Sequence, residues 1–299
     1  MCTVSIFAVA LWVPCFGLAQ GREAPSYSAA TILNSASGLP DSYAPNALLA
    51  IHGSGLANRT FWVDLENAKE LPTVVPNAGT RVYIRNQLAG LVYVSPEQLL
   101  VVVPPGIALG AANLQILVDA RAGPAIPIRI QPVAPGLYLR AEGWAAATRA
   151  DGSDVTAESP AVPGEEVTFY ATGLGLTKPA VMEFTILRRA APLISKLQVL
   201  LDGTAVEASA VEYAGLQPGS PGAYQIRCRL PTTGTGSLAP EIRLLVDGQL
   251  SQEGVRVPLG VAVGMKKLSR STVAIVGSPG AVWSRSPRSI QLSRSPTRE

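Results

Sequence analysis

Residues 225–230 alternate without a break. Ile226, Cys228 and Leu230 fall on one side, and Gln225, Arg227 and Arg229 on the other. A period of two marks a strand with one buried face and one wet face. Pro231 ends it. A cousin lies upstream in VYVSPEQLLVVVP, residues 92–104. With Gln98 placed on Gln225, Leu99, Val101 and Val103 fall on Ile226, Cys228 and Leu230, and Pro104 falls on Pro231.

The same pairing extends along the chain. VPGEEVTFYATGLG (162–175) lies on APNALLAIHGSGLA (44–57) without a gap, so that Pro163 meets Pro45 and Gly173 meets Gly55. EIRLLVDG (241–248) echoes NLQILVDA (113–120). RVYIR (81–85) alternates, residues 30–34, 88–94 and 126–131 also read as strands, and 48–57 reads as a strand that breaks at Gly53 and Gly55. LQVLLDGTAVEA (197–208) reads as a hairpin turning at Asp202-Gly203. TFWVDL (60–65) reads as a strand or an insertion. The offset between the copies grows slowly, as small loop insertions between fixed strands would make it.

This pattern is an internal duplication. Each unit has roughly 100 residues and about seven strands, and it buries its alternating faces most naturally as a two-sheet sandwich. One large barrel is the weaker alternative. The predicted fold is all-β, with two tandem immunoglobulin-like β-sandwiches at residues 28–131 and 162–263. A short β-rich bridge at 132–161 joins them, and Pro132 and Pro135 mark its start.

Composition agrees with many short strands. The 28 Gly and 25 Pro are scattered without period, which excludes a collagen-like chain. Charge changes the picture at one end. Residues 265–299 hold seven Lys or Arg and one Glu, leaving 17 basic and 20 acidic side chains before them. The folded part is mildly acidic and carries no electrostatic footprint for nucleic acid. The Ser/Arg/Pro-rich tail, 264–299, has little to bury and is expected to be disordered.

Residues 1–19 read as a signal peptide. An apolar run from Val4 to Val13 is followed by Gly17-Leu18-Ala19, which suits a cut before Gln20. The run is too short to span a bilayer comfortably, so no membrane span is expected after cleavage. Cleavage removes Cys2 and Cys15 and leaves Cys228 alone. The exported chain must then hold its fold by burial, without a disulfide.

One difference between the copies stands out. Where the second carries outward Arg227 and Arg229, the first carries Leu100 and Val102. A strand that is apolar on both sides needs cover on both faces. Leu100 and Val102 are therefore expected to form an interface with the bridge, the second sandwich or a partner.

The turn motifs carry a family resemblance. GSGLA and ATGLGLT after a Pro-containing turn resemble the opening strand of IPT/TIG-type immunoglobulin-like domains. The order ILNSAS…YAPNALLAIHGSGLA, VYVSPEQLLVVVP, SPAVPGEEVTFYATGLG, YAGLQPGSPGAYQIRCRLP resembles something narrower. It is similar to the C-terminal domain common in secreted acidobacterial (Solibacter-type) proteins, over about residues 30–260. The chain departs from that pattern at Asn46, where a Gly is usual, and at Arg85-Asn86-Gln87, in place of Asn-Gly. The resemblance implies an extracellular or envelope setting, often as an accessory module, and carries no catalytic residues.

Candidate chemistry is sparse. His52 and Ser54 share a strand face, but Ile51-His52-Gly53-Ser54-Gly55 lacks the first Gly of a nucleophile elbow. One His and one mature Cys exclude ordinary zinc sites. Asp151, Asp154 and Glu158 lack the spacing of a calcium loop. Cys228 reads as a small buried hydrophobe. No catalytic residue, metal or cofactor is therefore expected. Trp62, Trp144, Tyr138 and Trp283 are the aromatics able to stack on sugars. Trp144 and Tyr138 lie in the bridge, where a groove between sandwiches is a natural ligand site. The leading reading is a secreted or cell-envelope non-catalytic module for adhesion, scaffolding or protein contacts. The alternative is an extracellular carbohydrate-binding module using the bridge aromatics. The partner, protein or polysaccharide, is not named by the sequence.

Overall fold

The computed structural model describes residues 23–260 except 41, 141–142, 183 and 233–236, together with 275–276, 282–286 and 289–293. The expected signal peptide lies outside the described residues. In the tail, Ile275–Val276, Val282–Ser286 and Ser289–Ser293 pair with one another in a small antiparallel sheet. The remainder of the tail lies outside the described residues.

The protein is all-β and forms two tandem sandwiches. In the first, one sheet runs β1 (Ile32–Asn34), β3 (Leu48–His52), β8 (Gln98–Val102), β7 (Gly90–Val94), β4 (Phe61–Trp62). The facing sheet runs β2 (Ser42–Tyr43), β11 (Ile126–Ile130), β9 (Gly110–Val118), β5 (Thr80–Ile84), β6 (Gln87–Leu88), with β10 (Arg121–Ala122) on β9. Alternate residues of both sheets, such as Leu49, Ile51, Leu99, Val101, Val82 and Ile116, fill the core between them.

The second sandwich repeats this plan. Its first sheet runs β12 (Gly136–Leu137), β14 (Glu166–Thr172), β19 (Tyr224–Arg229), β18 (Val211–Leu216), β15 (Ala191–Pro192), with β13 (Ala147–Arg149) also on β14. Its other sheet runs β17 (Thr204–Ala205), β16 (Leu197–Leu201), β20 (Ile242–Val246), β21 (Gln249–Leu250). Phe169, Tyr224, Ile226, Cys228, Val199 and Leu244 are among the buried side chains of this core. The β-rich bridge lends it β12 and β13, and its Leu137, Ala147 and Val155 lie in the same core.

The duplication holds down to individual backbone pairs. His52 faces Gln98, and Tyr170 faces Gln225. Ile51–Leu99 and Leu49–Val101 correspond to Phe169–Ile226 and Val167–Cys228. Even the bulge recurs. Leu91 faces Val101 and Tyr93 faces Leu100, with the register shifting across Val92. Val211 faces Cys228 and Tyr213 faces Arg227, with the shift across Glu212. The outermost bridges correspond too. Ser26 meets Ser54 where Gly136 meets Thr172, and Tyr43 meets Ile130 where Ala161 meets Leu259. Such agreement follows from the pleat, because a slip of one residue would turn every core side chain outward.

The departures have local causes. Arg85 and Asn86 have φ of 47° and 63°, matching Asp202 and Gly203 at 47° and 77°. Both pairs thus make a two-residue turn with two positive φ values, the geometry that suits strand twist. The Arg85 guanidinium donates to the carbonyls of Leu109 and Ala111, which helps hold the Arg-Asn turn. Asn46 has φ of 62°, where its counterpart Gly164 has 82°; Asn tolerates this region better than most residues. The second copy has no full strand matching β11. Residues 255–259 form isolated bridges, Arg256 to Glu241 and to Trp144, and Leu259 to Ala161. Pro258 in this segment has no N–H to give a ladder.

Equivalent core positions should have similar weight. Leu99→Ala and Ile226→Ala each remove a fully buried side chain and should each cost about 2–5 kcal/mol. Urea denaturation followed by circular dichroism reads the loss.

Candidate functional site: the junction between the sandwiches

Alternation along β3 and β8 sends Leu48, Ala50, Leu100 and Val102 to the outer face of the first sheet. All four are buried, with Val102 the most exposed at 4%. Val92, at the bulge, joins them. Their cover comes from Tyr138 and Ala146 of the bridge and from Tyr170 and Ile186 of the second sandwich. Together these residues make a third apolar cluster, separate from the two sandwich cores. Leu100 and Val102 thus sit at the centre of the junction.

The counterpart face of the second sandwich is wet. Arg227 and Arg229 are 46% and 53% exposed and form ion pairs with Glu166 and Glu212 at 3.0–3.7 Å. Exposed pairs of this kind add little stability.

Polar contacts stitch the junction together. Thr172 accepts a hydrogen bond from the Leu48 N–H at 2.9 Å and donates to the Gly222 carbonyl at 2.6 Å. Ser35 and Tyr138 share a hydroxyl–hydroxyl bond of 2.8 Å. Asn34 donates to the Ala134 carbonyl. Where the linker crosses, Gly173 has φ of 74°, and a Cβ there would lie 2.0 Å from the Ala134 oxygen. A second set of stitches joins two loops. Glu70 pairs with Thr185, and the N–H groups of Leu71 and Ile186 donate to Phe184 and Lys69. The Arg188 guanidinium clamps the carbonyls of Leu65 and Ala68, both at 2.8 Å.

Tyr138 is 3% exposed. Its ring belongs to the junction, with no free face for a sugar, and burial raises its phenol pKa. Trp144 is half-buried and pairs through its backbone with Arg256. Trp62 stacks at a tilt on Tyr93 on the outermost strand of the first sheet, with ring centroids 4.1 Å apart. The side chain of Trp283 lies outside the described residues.

His52 ends β3. Its Nε2 is buried and makes no hydrogen bond, and burial lowers its pKa. The Ser54 backbone is tied to Ser26. No base-to-nucleophile hydrogen bond runs from His52 Nε2. Asp151 caps its own turn through Ser153, and Asp154 pairs with Arg140 at 2.9 Å. Among the described residues, no group of three or more His, Cys, Asp or Glu is placed to hold a metal ion. Cys228 is fully buried, and burial pushes its thiol up to about 11.

Sequence reasoning missed Arg149. It bonds to Glu165 and to the carbonyls of Asp154, Ser159 and Pro160, fastening the bridge loop to β14. It is the last residue of β13, opposite Val167, a position that held only a weak signal.

Hollows flank the junction among the described residues, one small and one larger among them. The smaller, of about 20 Å³, lies among Val102, Phe184, Leu187, Asn46 and Ser220; it has room for about one water molecule. The larger is an open cleft of about 520 Å³. Its walls are the residues around Ser37 and Ser42, the linker at Gln131–Pro135, and the β20–β21 hairpin. No helix among the described residues is long and apolar enough to cross a membrane.

No protein-family profile matches the chain, and no curated protein does either. Several solved structures resemble it at low identity. One is SGBP-B of the Bacteroides ovatus mixed-linkage glucan utilization locus, in complex with a mixed-linkage heptasaccharide. It is 11% identical, over 87% of this chain and 49% of that one, with a TM-score of 0.32. Another is the full extracellular region of plexin A4, domains 1 to 8, at 12% identity over 83% and 19% of the two chains, TM-score 0.27. Domains 5-6 of the S-layer protein SbsC match at 12% identity over 80% and 100%, TM-score 0.25. The chain spans about half the length of the first and about a fifth of the second.

Leu100→Ala should cost about 2–5 kcal/mol, and Arg227→Ala or Arg229→Ala less than about 1 kcal/mol each. Thr172→Val should cost about 1–3 kcal/mol, because it strands the Leu48 N–H and the Gly222 carbonyl. Urea melts of the four variants test this ordering.

Proposed function

We propose that this chain is a non-catalytic module, exported to the cell envelope or beyond, that serves as a rigid two-sandwich spacer in adhesion or scaffold contacts. The observation that carries the reading is the junction. A buried apolar cluster, a shared hydroxyl at Thr172 and paired loops at Glu70 and Thr185 tie the sandwiches together. Domains joined by a small polar contact move relative to one another, whereas an apolar interface holds them. A fixed spacing is useful to a scaffold and needs no reactive group. Residues 1–19 support export, and the likeness to Solibacter-type secreted proteins supports an accessory role there.

Paired spin labels test the rigidity. Leu109→Cys and Glu207→Cys are exposed, one on each sandwich. Buried Cys228 reacts poorly, because its thiolate is disfavoured. Pulsed electron resonance on the chain from Gln20 onward should give one narrow distance. A broad distribution overturns the spacer reading. Chromogenic esters and glycosides should show no turnover; hydrolysis lost in Ser54→Ala would overturn the non-catalytic reading.

A further inference from the structure

We infer that the 520 Å³ cleft beside the junction is a binding site for a neutral oligosaccharide. This stands apart from the spacer reading and does not use the bridge aromatics. The volume lies within the roughly 300–1,000 Å³ usual for ligand sites, and such sites favour domain boundaries.

The lining decides the chemistry. Arg243 and Glu253 are the charged side chains among the described lining residues, and they pair with each other at 3.1 Å. Arg243 also donates to the Ser251 carbonyl. The guanidinium is committed, so the cleft offers no strong anion site. Among the described lining residues, the other polar side chains are amide and hydroxyl. Gln131 gives an amide hydrogen to Ser42 Oγ at 2.7 Å and keeps its carbonyl oxygen for another partner. Gln249 is exposed on the hairpin at the rim. Neutral groups that both donate and accept suit a ligand rich in hydroxyls.

The floor is already set. Gln252 bonds both the N–H and the carbonyl of Leu137, at 3.0 and 2.6 Å. Asn34 bonds the Ala134 carbonyl at 3.0 Å. These contacts fix walls from both sandwiches before a ligand arrives, which lowers the cost of binding. Leu39 and Leu250, 54% and 46% exposed, also line the cleft. They offer apolar surface to the C–H faces of a sugar ring. An extended peptide fits less well, because the free edge here, β21, is two residues long and offers too short a ladder.

The test is affinity electrophoresis of the full exported chain through gels holding mixed-linkage β-glucan, xyloglucan, dextran, starch or mannan. At least one polysaccharide should retard it. Isothermal calorimetry with an oligosaccharide of that polymer should show at least a tenfold loss of affinity in Gln249→Ala/Leu250→Asp, with the thermal melt unchanged. Trp62→Ala and Trp144→Ala should bind normally. Lack of retardation by all five polymers, full binding by the cleft variant, or loss confined to Trp62→Ala or Trp144→Ala would each overturn the proposal.

Discussion

Apolar burial across the junction turns two copies of one unit into a single body. Leu48, Ala50, Leu100 and Val102 form a sheet face that water cannot be left to cover. The second copy has Glu166, Thr168, Arg227 and Arg229 in the same register. Burying those charges against another sandwich would carry a desolvation cost that exposed ion pairs avoid. The asymmetry therefore directs assembly. The first copy must be covered, and the second must stay wet. Had both kept the apolar face, the second would expose a patch ready for another molecule, and head-to-tail contacts of that kind can propagate. The charged ladder acts as an end cap, as polar outer faces do in repeat proteins. Its weak ion pairs matter more for solubility than for stability.

Apolar contact alone does not fix how one sandwich sits on another. Register comes from the buried polar groups. Thr172 is satisfied only when the Leu48 N–H and the Gly222 carbonyl both reach it. A sliding or twisting movement would carry Thr172 and Gly222 together and strand the buried Leu48 N–H, and a stranded buried polar group costs more than a typical hydrogen bond contributes. The Ser35–Tyr138 bond and the Arg188 clamp impose the same condition at separate points. Burial thus supplies the strength of the junction, and these hydrogen bonds supply its geometry.

The parts legible in the sequence are those governed by the period of two. Strands β3, β8, β14 and β19 alternate or run apolar, so their register and their equivalence can be read directly. The same alignment marks Leu100 and Val102 as apolar where Arg is the alternative. What cannot be read depends on long-range contacts. Strand β18 is interrupted by Gly215, whose flank Tyr213 and the Ala191 backbone crowd, and its sequence reads as a turn. The loops at Glu70 and Thr185 pair across more than a hundred residues of chain, and neither alternates. Arg149 carries four hydrogen bonds from a position that looks like any outward arginine. The bridge aromatics stand out by type, yet burial decides their use. Tyr138 spends its ring in the junction and its hydroxyl on Ser35.

The same geometry links the junction to the cleft. The linker at Gln131–Pro135 leaves the first sandwich along one wall, while the β20–β21 hairpin of the second supplies the other. The shape of the cleft therefore depends on the angle between the sandwiches, and that angle is set chiefly by the apolar cluster around Leu100, which lies outside the cleft lining. A hinge at this point would open and close the cleft and spread it over many shapes, and each ligand would have to select one at a cost in affinity. A locked junction removes that cost. A fixed spacing of the sandwiches and a pre-formed cleft beside them would thus share one cause, the apolar face around Leu100 that could not be left in water.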